Sequence, residues 1–142
     1  KAIWWAAISE VTFIPSFFAS LIIVTELTVE IVEKPWGHEK IWAKTDKYIG
    51  KILTINPGHR LSLQYHEFKE ETLMVLNGTL RIWICDDDDD YFDICPGEVY
   101  HVKPRQVHRF GATKFQEVTV VEVSTPEIDD VVRITDDYNR GA

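Results

Sequence analysis

The chain has 142 residues, of which 45% are hydrophobic and 12% aromatic. That is enough for one domain with a packed core, but too little for two ordinary domains. Its net charge of −8 argues against a nucleic-acid partner, because the phosphates would be repelled. A small anionic substrate stays possible where cations gather locally.

Residues 1–33 form an apolar N-terminal extension, interrupted by Glu10 and Pro15. A membrane span or a signal peptide would rarely carry both interruptions, so we expect no membrane partner. Residues 26–32 alternate between polar and apolar side chains, as a strand does. We predict extra strands, or an arm that covers a sheet or a partner subunit. The alternative is a remnant of a membrane or targeting segment.

Residues 34–142 are predicted to form one all-β domain, because strand-like runs and turn residues alternate about every ten residues. No helical stripe interrupts this pattern. A tight hairpin turn is predicted at Asn77-Gly78, and a further turn at the aspartate run 86–90. The predicted strands are 41–43, 48–55, 72–76, 79–85, 91–94 and 99–102.

The stretch 58–66 carries polar residues at every second position. Side chains alternate faces along a strand, so Arg60, Gln64 and His66 should share one face together with Ser62. Two interpretations fit this pattern: a half-exposed strand with its polar side in water, or one wall of a metal site.

Cys85 and Cys95 flank the aspartate run but fall out of register for a disulfide. Two unpaired cysteines, neither in a C-x-x-C pattern, suit a reducing compartment. We therefore predict a cytoplasmic protein.

Two glycine-marked motifs resemble those of the cupins. The first contains Gln64-x-His66 and Glu71, with glutamine where cupins usually have the first histidine. The second runs from Gly97 to His108, with its usual proline and glycine positions changed. This resemblance implies a double-stranded β-helix, or jelly-roll barrel.

The flanking residues narrow the resemblance to the C-terminal isomerase domain of type II phosphomannose isomerases, over residues 33–140. The motifs that support this resemblance are Pro35-Trp36-Gly37, the string from Arg60 to His66, His108-Arg109, and the ending 129–140 with Asp137-Tyr138-Asn139-Arg140. Relatives often carry a sugar-nucleotide transferase before this domain. A chain of 142 residues has no room for one, so guanylyltransferase activity is not expected.

The resemblance implies that Gln64, His66, Glu71 and His108 bind a divalent metal. A closed barrel can bring such non-local residues to one interior point. Two imidazoles, a carboxylate and an amide favour zinc, and would also accept manganese, cobalt, nickel or iron.

The family reaction is the interconversion of mannose 6-phosphate and fructose 6-phosphate. The resemblance marks Arg60 as the catalytic arginine, and Lys51, Lys103, Arg105 and Arg109 are the cations that could bind the substrate phosphate. Two rival functions stay open: a non-catalytic sugar- or metal-binding cupin, and a metal-dependent cupin oxygenase. The apolar extension and the all-β core also predict a homodimer.

Overall fold

The computed structural model describes residues 28–140, and the regular elements in that range are eleven β-strands, all paired antiparallel. The predicted all-β class is therefore confirmed. The strands are β1 (Glu30–Lys34), β2 (Gly37–Lys44), β3 (Ile49–Ile55), β4 (Leu63–Tyr65), β5 (Glu71–Asn77), β6 (Leu80–Trp83), β7 (Tyr91–Ile94), β8 (Val99–Val102), β9 (Arg109–Ala112), β10 (Val118–Ser124) and β11 (Val132–Thr135).

Most of the predicted N-terminal extension lies outside the described residues. Its last part, β1, pairs with β2 and forms one edge of the largest sheet. Among residues 28–140 there is no helix of a length and apolarity that would let it cross a membrane.

The strands form two layers. One layer is a six-stranded sheet in the order β1-β2-β3-β10-β5-β8. The other combines the sheet β7-β6-β9 with the pair β11-β4, joined by bridges from Arg60 to Gly111 and from Gln64 to His108. Since the chain crosses repeatedly between the layers, residues distant in sequence meet in the space between them.

The hydrophobic core lies between these layers. Leu53, Leu73 and Val120 point inward from the six-stranded sheet, and Ile82 and Phe110 point inward from the opposite layer; all are 2% exposed or less. Burial of a side chain of this size stabilises the fold by about 1.5–3 kcal/mol. The period-two alternation that predicted the strands is thus the alternation between core and outer surface.

The predicted hairpin at Asn77-Gly78 is wrong. The chain does turn there, but β5 pairs with β10 and β8 while β6 pairs with β7 and β9. Gly78 is therefore a corner between layers, with φ of +82°. A Cβ at this position would lie 2.3 Å from the carbonyl oxygen of Glu117, which explains why glycine stands there.

The aspartate run does form the predicted turn, because β6 and β7 pair across it. Cys85 and Cys95 are both free, as predicted. The run also has a contact that its sequence did not indicate, since Asp88 accepts a hydrogen bond from Arg60.

Candidate metal centre

Three buried side chains meet between the layers. His66 follows β4, Glu71 opens β5 and His108 precedes β9, and one ligand atom of each lies within 4.8 Å of the others. The Nε2 atom of His108 is 3.2 Å from Glu71 Oε1, and that of His66 is 3.7 Å from Glu71 Oε2. All three residues are 3% exposed or less.

Backbone carbonyls fix the tautomer of both imidazoles. His108 Nδ1 donates to the carbonyl of Gln106 at 2.9 Å, and His66 Nδ1 donates to the carbonyl of Asp130. A carbonyl oxygen can only accept, so the proton of each neutral ring sits on Nδ1 and the lone pair on Nε2. Both Nε2 atoms are buried without a hydrogen-bond partner.

This arrangement fits a divalent metal ion. Two imidazole lone pairs and a carboxylate face one another, which is unfavourable unless a cation lies between them. Imidazole N–H groups that are held by carbonyl acceptors also orient metal-binding histidines in known sites. The buried His66, Glu71 and His108 group can therefore hold a metal ion.

Gln64, the predicted fourth ligand, lies beside this group. Its backbone exchanges hydrogen bonds with that of His108, at 3.0 and 2.9 Å, so the two residues lie directly opposite each other. The Oε1 atom of Gln64 accepts a hydrogen bond from Ser62 Oγ at 2.7 Å. A carbonyl oxygen has two lone pairs, so one stays available to a metal.

A buried lysine beside the centre was missed by sequence reasoning. Lys69 contacts Glu71 Oε2, and its Nζ lies 2.9 Å from Glu122 Oε1. Burial alone would lower the pKa of Lys69, but the carboxylates of Glu122 and Glu71 raise it above its usual value. Lys69 is therefore a fixed cation at neutral pH.

The charge of Glu71 is fixed as well. The buried ammonium of Lys69 contacts Glu71 Oε2 and favours the charged form of this carboxylate. The carboxylate is therefore ionised, as a metal ligand must be.

The centre opens into a cavity of about 490 Å³ that Gln64, His66 and Glu71 help to line. Arg133 on β11 also lines it, lies opposite Gln64 across the β11–β4 pair, and has a buried Nε without a partner. The basic residues of the lining are Lys34, Lys44, Lys51, Lys69, Arg133 and Arg140. In the sequence, Arg133 stands out only as part of the family motif at the C-terminus.

Arg60 lies away from the cavity, so the expectation that it shares a face with Gln64 and His66 is wrong. Its Nε donates to Asp137 at 2.7 Å, and its guanidinium stands 5.6 Å from the Trp83 ring. The predicted strand is interrupted after Arg60, since regular pairing resumes only at Leu63. The alternation of side chains is lost across that gap.

Only Lys51, of the four cations proposed for phosphate, lines the cavity. Its Nζ is 3.3 Å from Glu39 Oε2. Arg109 is buried and donates to the carbonyl of Thr135 at 3.2 Å, outside the cavity lining. Lys103 and Arg105 lie on an exposed turn outside the lining.

Comparison with protein families gives one match over most of the chain. The model for "Mannose-6-phosphate isomerase C-terminal" matches residues 25–136. Among curated proteins, alginate biosynthesis protein AlgA of Pseudomonas aeruginosa is 30% identical over 114 residues, 78% of this chain and 23% of AlgA. Mannose-1-phosphate guanylyltransferase of Escherichia coli is 31% identical over 112 residues, 77% of this chain. The chain spans less than a quarter of the length of either relative.

Solved structures support the fold alone. The polyketide cyclase RemF of Streptomyces resistomycificus aligns with a TM-score of 0.65 and 20% identity, over 81% of this chain and 87% of RemF. A cupin-2 domain protein of Shewanella frigidimarina aligns with a TM-score of 0.52 and 20% identity, over 65% of this chain and 82% of that one. The predicted cupin fold is confirmed.

Proposed function

The chain belongs to the family of mannose-6-phosphate isomerase C-terminal domains, and we propose that it interconverts mannose 6-phosphate and fructose 6-phosphate. The observation that carries the proposal is the buried group of His66, Glu71 and His108. Both imidazoles have an unpartnered Nε2, and His66 and Glu71 line a cavity that also contains basic residues. A metal centre beside a polar cavity that contains basic side chains suits a phosphorylated sugar.

The reaction moves one hydrogen between two neighbouring carbons. A base removes the proton from C2 of the aldose, an enediolate forms, and a proton is then added at C1 to give the ketose. The metal ion, held by His66, Glu71, His108 and Gln64, would polarise the sugar carbonyl and stabilise the developing oxyanion. Zinc is the ion that we propose, from the donor set.

Lys69 would add a fixed positive charge beside the metal ligands. Since the pKa of Lys69 is raised, it stays protonated and is not the base. Four further carboxylates line the cavity, and of these we propose Glu39 and Glu122 as the candidates for that role.

Arg133 and Lys51 are the phosphate-binding residues that we propose. Both line the cavity, and the buried, unpartnered Nε of Arg133 has hydrogen-bonding capacity to offer. Arginine can bind phosphate through two parallel hydrogen bonds. Lys103, Arg105 and Arg109 do not line the cavity, so we do not assign them this role.

A coupled isomerase assay with mannose 6-phosphate on zinc-loaded protein tests the proposal. We expect turnover, and we expect His66→Ala to lose both bound metal and activity. Arg133→Ala should keep its metal but raise KM by about 10–100-fold, since a charge-assisted hydrogen bond contributes about 1.5–3 kcal/mol. The matched control is Arg105→Ala, which removes an exposed arginine from outside the cavity lining.

The assay also separates the rival functions. Metal-loaded protein that turns over no sugar phosphate would contradict the isomerase and leave a binding role. Bound iron together with oxygen consumption would instead indicate a cupin oxygenase. Loss of activity in Arg60→Ala with an unchanged metal content and melting temperature would return Arg60 to the catalytic role that the family resemblance implies.

A further inference from the structure

Arg60 joins two parts of the chain that are distant in sequence. Its Nε donates to Asp137 Oδ2 at 2.7 Å, and its Nη2 lies 3.4 Å from Asp137 Oδ1. Its Nη1 donates to Asp88 Oδ1 at 2.5 Å. Asp137 belongs to the C-terminal segment, residues 129–140, and Asp88 belongs to the aspartate run between β6 and β7. We call Arg60, Asp88 and Asp137 the arginine clamp.

The surrounding residues hold Arg60 in this position. Its guanidinium lies over the Trp83 ring, and Trp83 Nε1 donates to the carbonyl of Asp88 at 3.1 Å. Gly111 leaves room for both side chains, because a Cβ there would lie 2.9 Å from Arg60 Cβ and 2.9 Å from the Trp83 ring. Arginine that binds a carboxylate through two hydrogen bonds fixes its orientation. Asp137 is therefore held at a defined place on the barrel.

Two further contacts attach the C-terminal segment to the same region. Thr135 Oγ1 donates to the carboxylate of Asp86 at 3.3 Å. The Tyr138 hydroxyl lies 3.0 Å from His59 Nδ1, and the two rings stack. Asp86 is in the aspartate run and His59 precedes Arg60, so these contacts reinforce the arginine clamp.

The other side of the C-terminal segment contacts the candidate site. The Asp130 carbonyl accepts a hydrogen bond from His66 Nδ1, and Arg133 and Arg140 line the cavity. Within residues 28–140, the only strand that pairs with β11 is β4, so sheet pairing alone holds the segment weakly. Its placement therefore depends on the contacts of the residues that follow β11, and these include Asp137.

We propose that Arg60 is a positioning residue, which acts on the site through Asp137 and the C-terminal segment. The segment in turn keeps His66 oriented through Asp130 and keeps its two arginines at the cavity. The expected effect on substrate binding rests on the proposed isomerase function, whereas the expected effect on metal binding does not. An arginine outside the cavity can thus control the site without touching the substrate.

The zinc Kd and the steady-state kinetics of clamp variants test the proposal. We expect Arg60→Ala and Asp137→Asn each to raise the zinc Kd by about tenfold, because the carbonyl that orients a metal-binding imidazole is displaced. With saturating zinc, both should raise KM for mannose 6-phosphate more than they lower kcat, because the cavity arginines move. The double variant should be no weaker than the weaker single variant, since both substitutions break the same contact.

The matched control is Arg81→Ala. Arg81 also makes two hydrogen bonds to one carboxylate, that of Asp93 at 2.8 and 2.9 Å, and it also lies over an aromatic ring, that of Tyr91. Its side chain is 27% exposed, against 25% for Arg60. Arg81 joins β6 to β7 and not to the C-terminal segment, so Arg81→Ala should leave the zinc Kd and KM unchanged.

Three results would overturn the proposal. An unchanged zinc Kd in both clamp variants is the first. The second is a loss of kcat in Arg60→Ala while Asp137→Asn behaves as wild type, because Arg60 would then act on the substrate directly. The third is an equal rise of the zinc Kd in Arg81→Ala, which would indicate general destabilisation.

Two features keep the test decisive. If the wild-type chain turns over no sugar phosphate, the isomerase proposal alone fails, and the zinc Kd still tests the role of Arg60. If circular dichroism shows that Arg60→Ala does not fold, Asp137→Asn provides the answer, because it keeps the shape of the side chain and removes only its charge.

Discussion

Lys69→Met should destabilise the metal-free protein by about 3–5 kcal/mol. Lys69 is 5% exposed and lies between Glu71 and Glu122, which are 3% and 4% exposed. Methionine keeps much of the side-chain volume but removes the ammonium that both carboxylates share. Breaking a buried ion pair by removing one partner costs this much because a buried charge is left without compensation.

A loss of this size should lower the melting temperature by about 10–20 °C in a domain of this length. Added zinc should then raise the melting temperature more in Lys69→Met than in wild type, because the metal ion restores positive charge beside Glu71. Thermal unfolding followed by circular dichroism, with chelator and with zinc, measures both effects. The control is Lys103→Met, which removes an exposed lysine.

A second variant separates the ion pair from general misfolding. The double variant Lys69→Met/Glu122→Leu should recover part of the lost stability, because it no longer buries an unpaired carboxylate at position 122. An unchanged melting temperature in metal-free Lys69→Met, or no recovery in the double variant, would refute the reasoning.

Three further outcomes follow from single contacts. Gly78→Ala should lower the free energy of unfolding by about 1–3 kcal/mol, because a Cβ at Gly78 meets the carbonyl of Glu117. Gly97→Ala should lower it less, because a Cβ at Gly97 meets nothing within 4 Å. Urea unfolding measures both. Asp130→Asn should lower the melting temperature at neutral pH but much less in acid. Burial would raise the pKa of Asp130, but backbone N–H groups of residues 67–69 lower it. Its stabilising effect is therefore present above the unfolded pKa and is lost as pH falls through the folded one. Finally, reductant should leave the melting temperature unchanged, because Cys85 is free; a drop would reveal a disulfide.

Sequence patterns predicted the strands well where one face is buried and the other is not. The predicted strand 72–76 lies within β5, whose residues alternate between buried and exposed. The pairing of strands was harder to predict, as Gly78 shows. A glycine turn indicates that the chain reverses, but whether it stays in one sheet depends on which distant strands pair with β5.

The proposed metal ligands could be predicted from the sequence because each stands in a motif of fixed spacing. Of the cations that line the cavity, only Lys51 was among the predicted phosphate-binding residues, because the positions of the others depend on tertiary pairing. Arg133 lines the cavity only because β11 pairs with β4, which places Arg133 opposite Gln64. Nothing in the local sequence around Arg133 specifies that partner.

The C-terminal segment 129–140 contacts both the candidate metal centre and the wall of the cavity. The Asp130 carbonyl fixes the His66 tautomer, and its carboxylate accepts hydrogen bonds from the backbone before Glu71. Three residues later, Arg133 lies opposite Gln64 and lines the cavity. A single short segment therefore orients a metal-binding imidazole and supplies a phosphate-binding candidate, so a displacement of this segment would disturb both halves of the proposed site together.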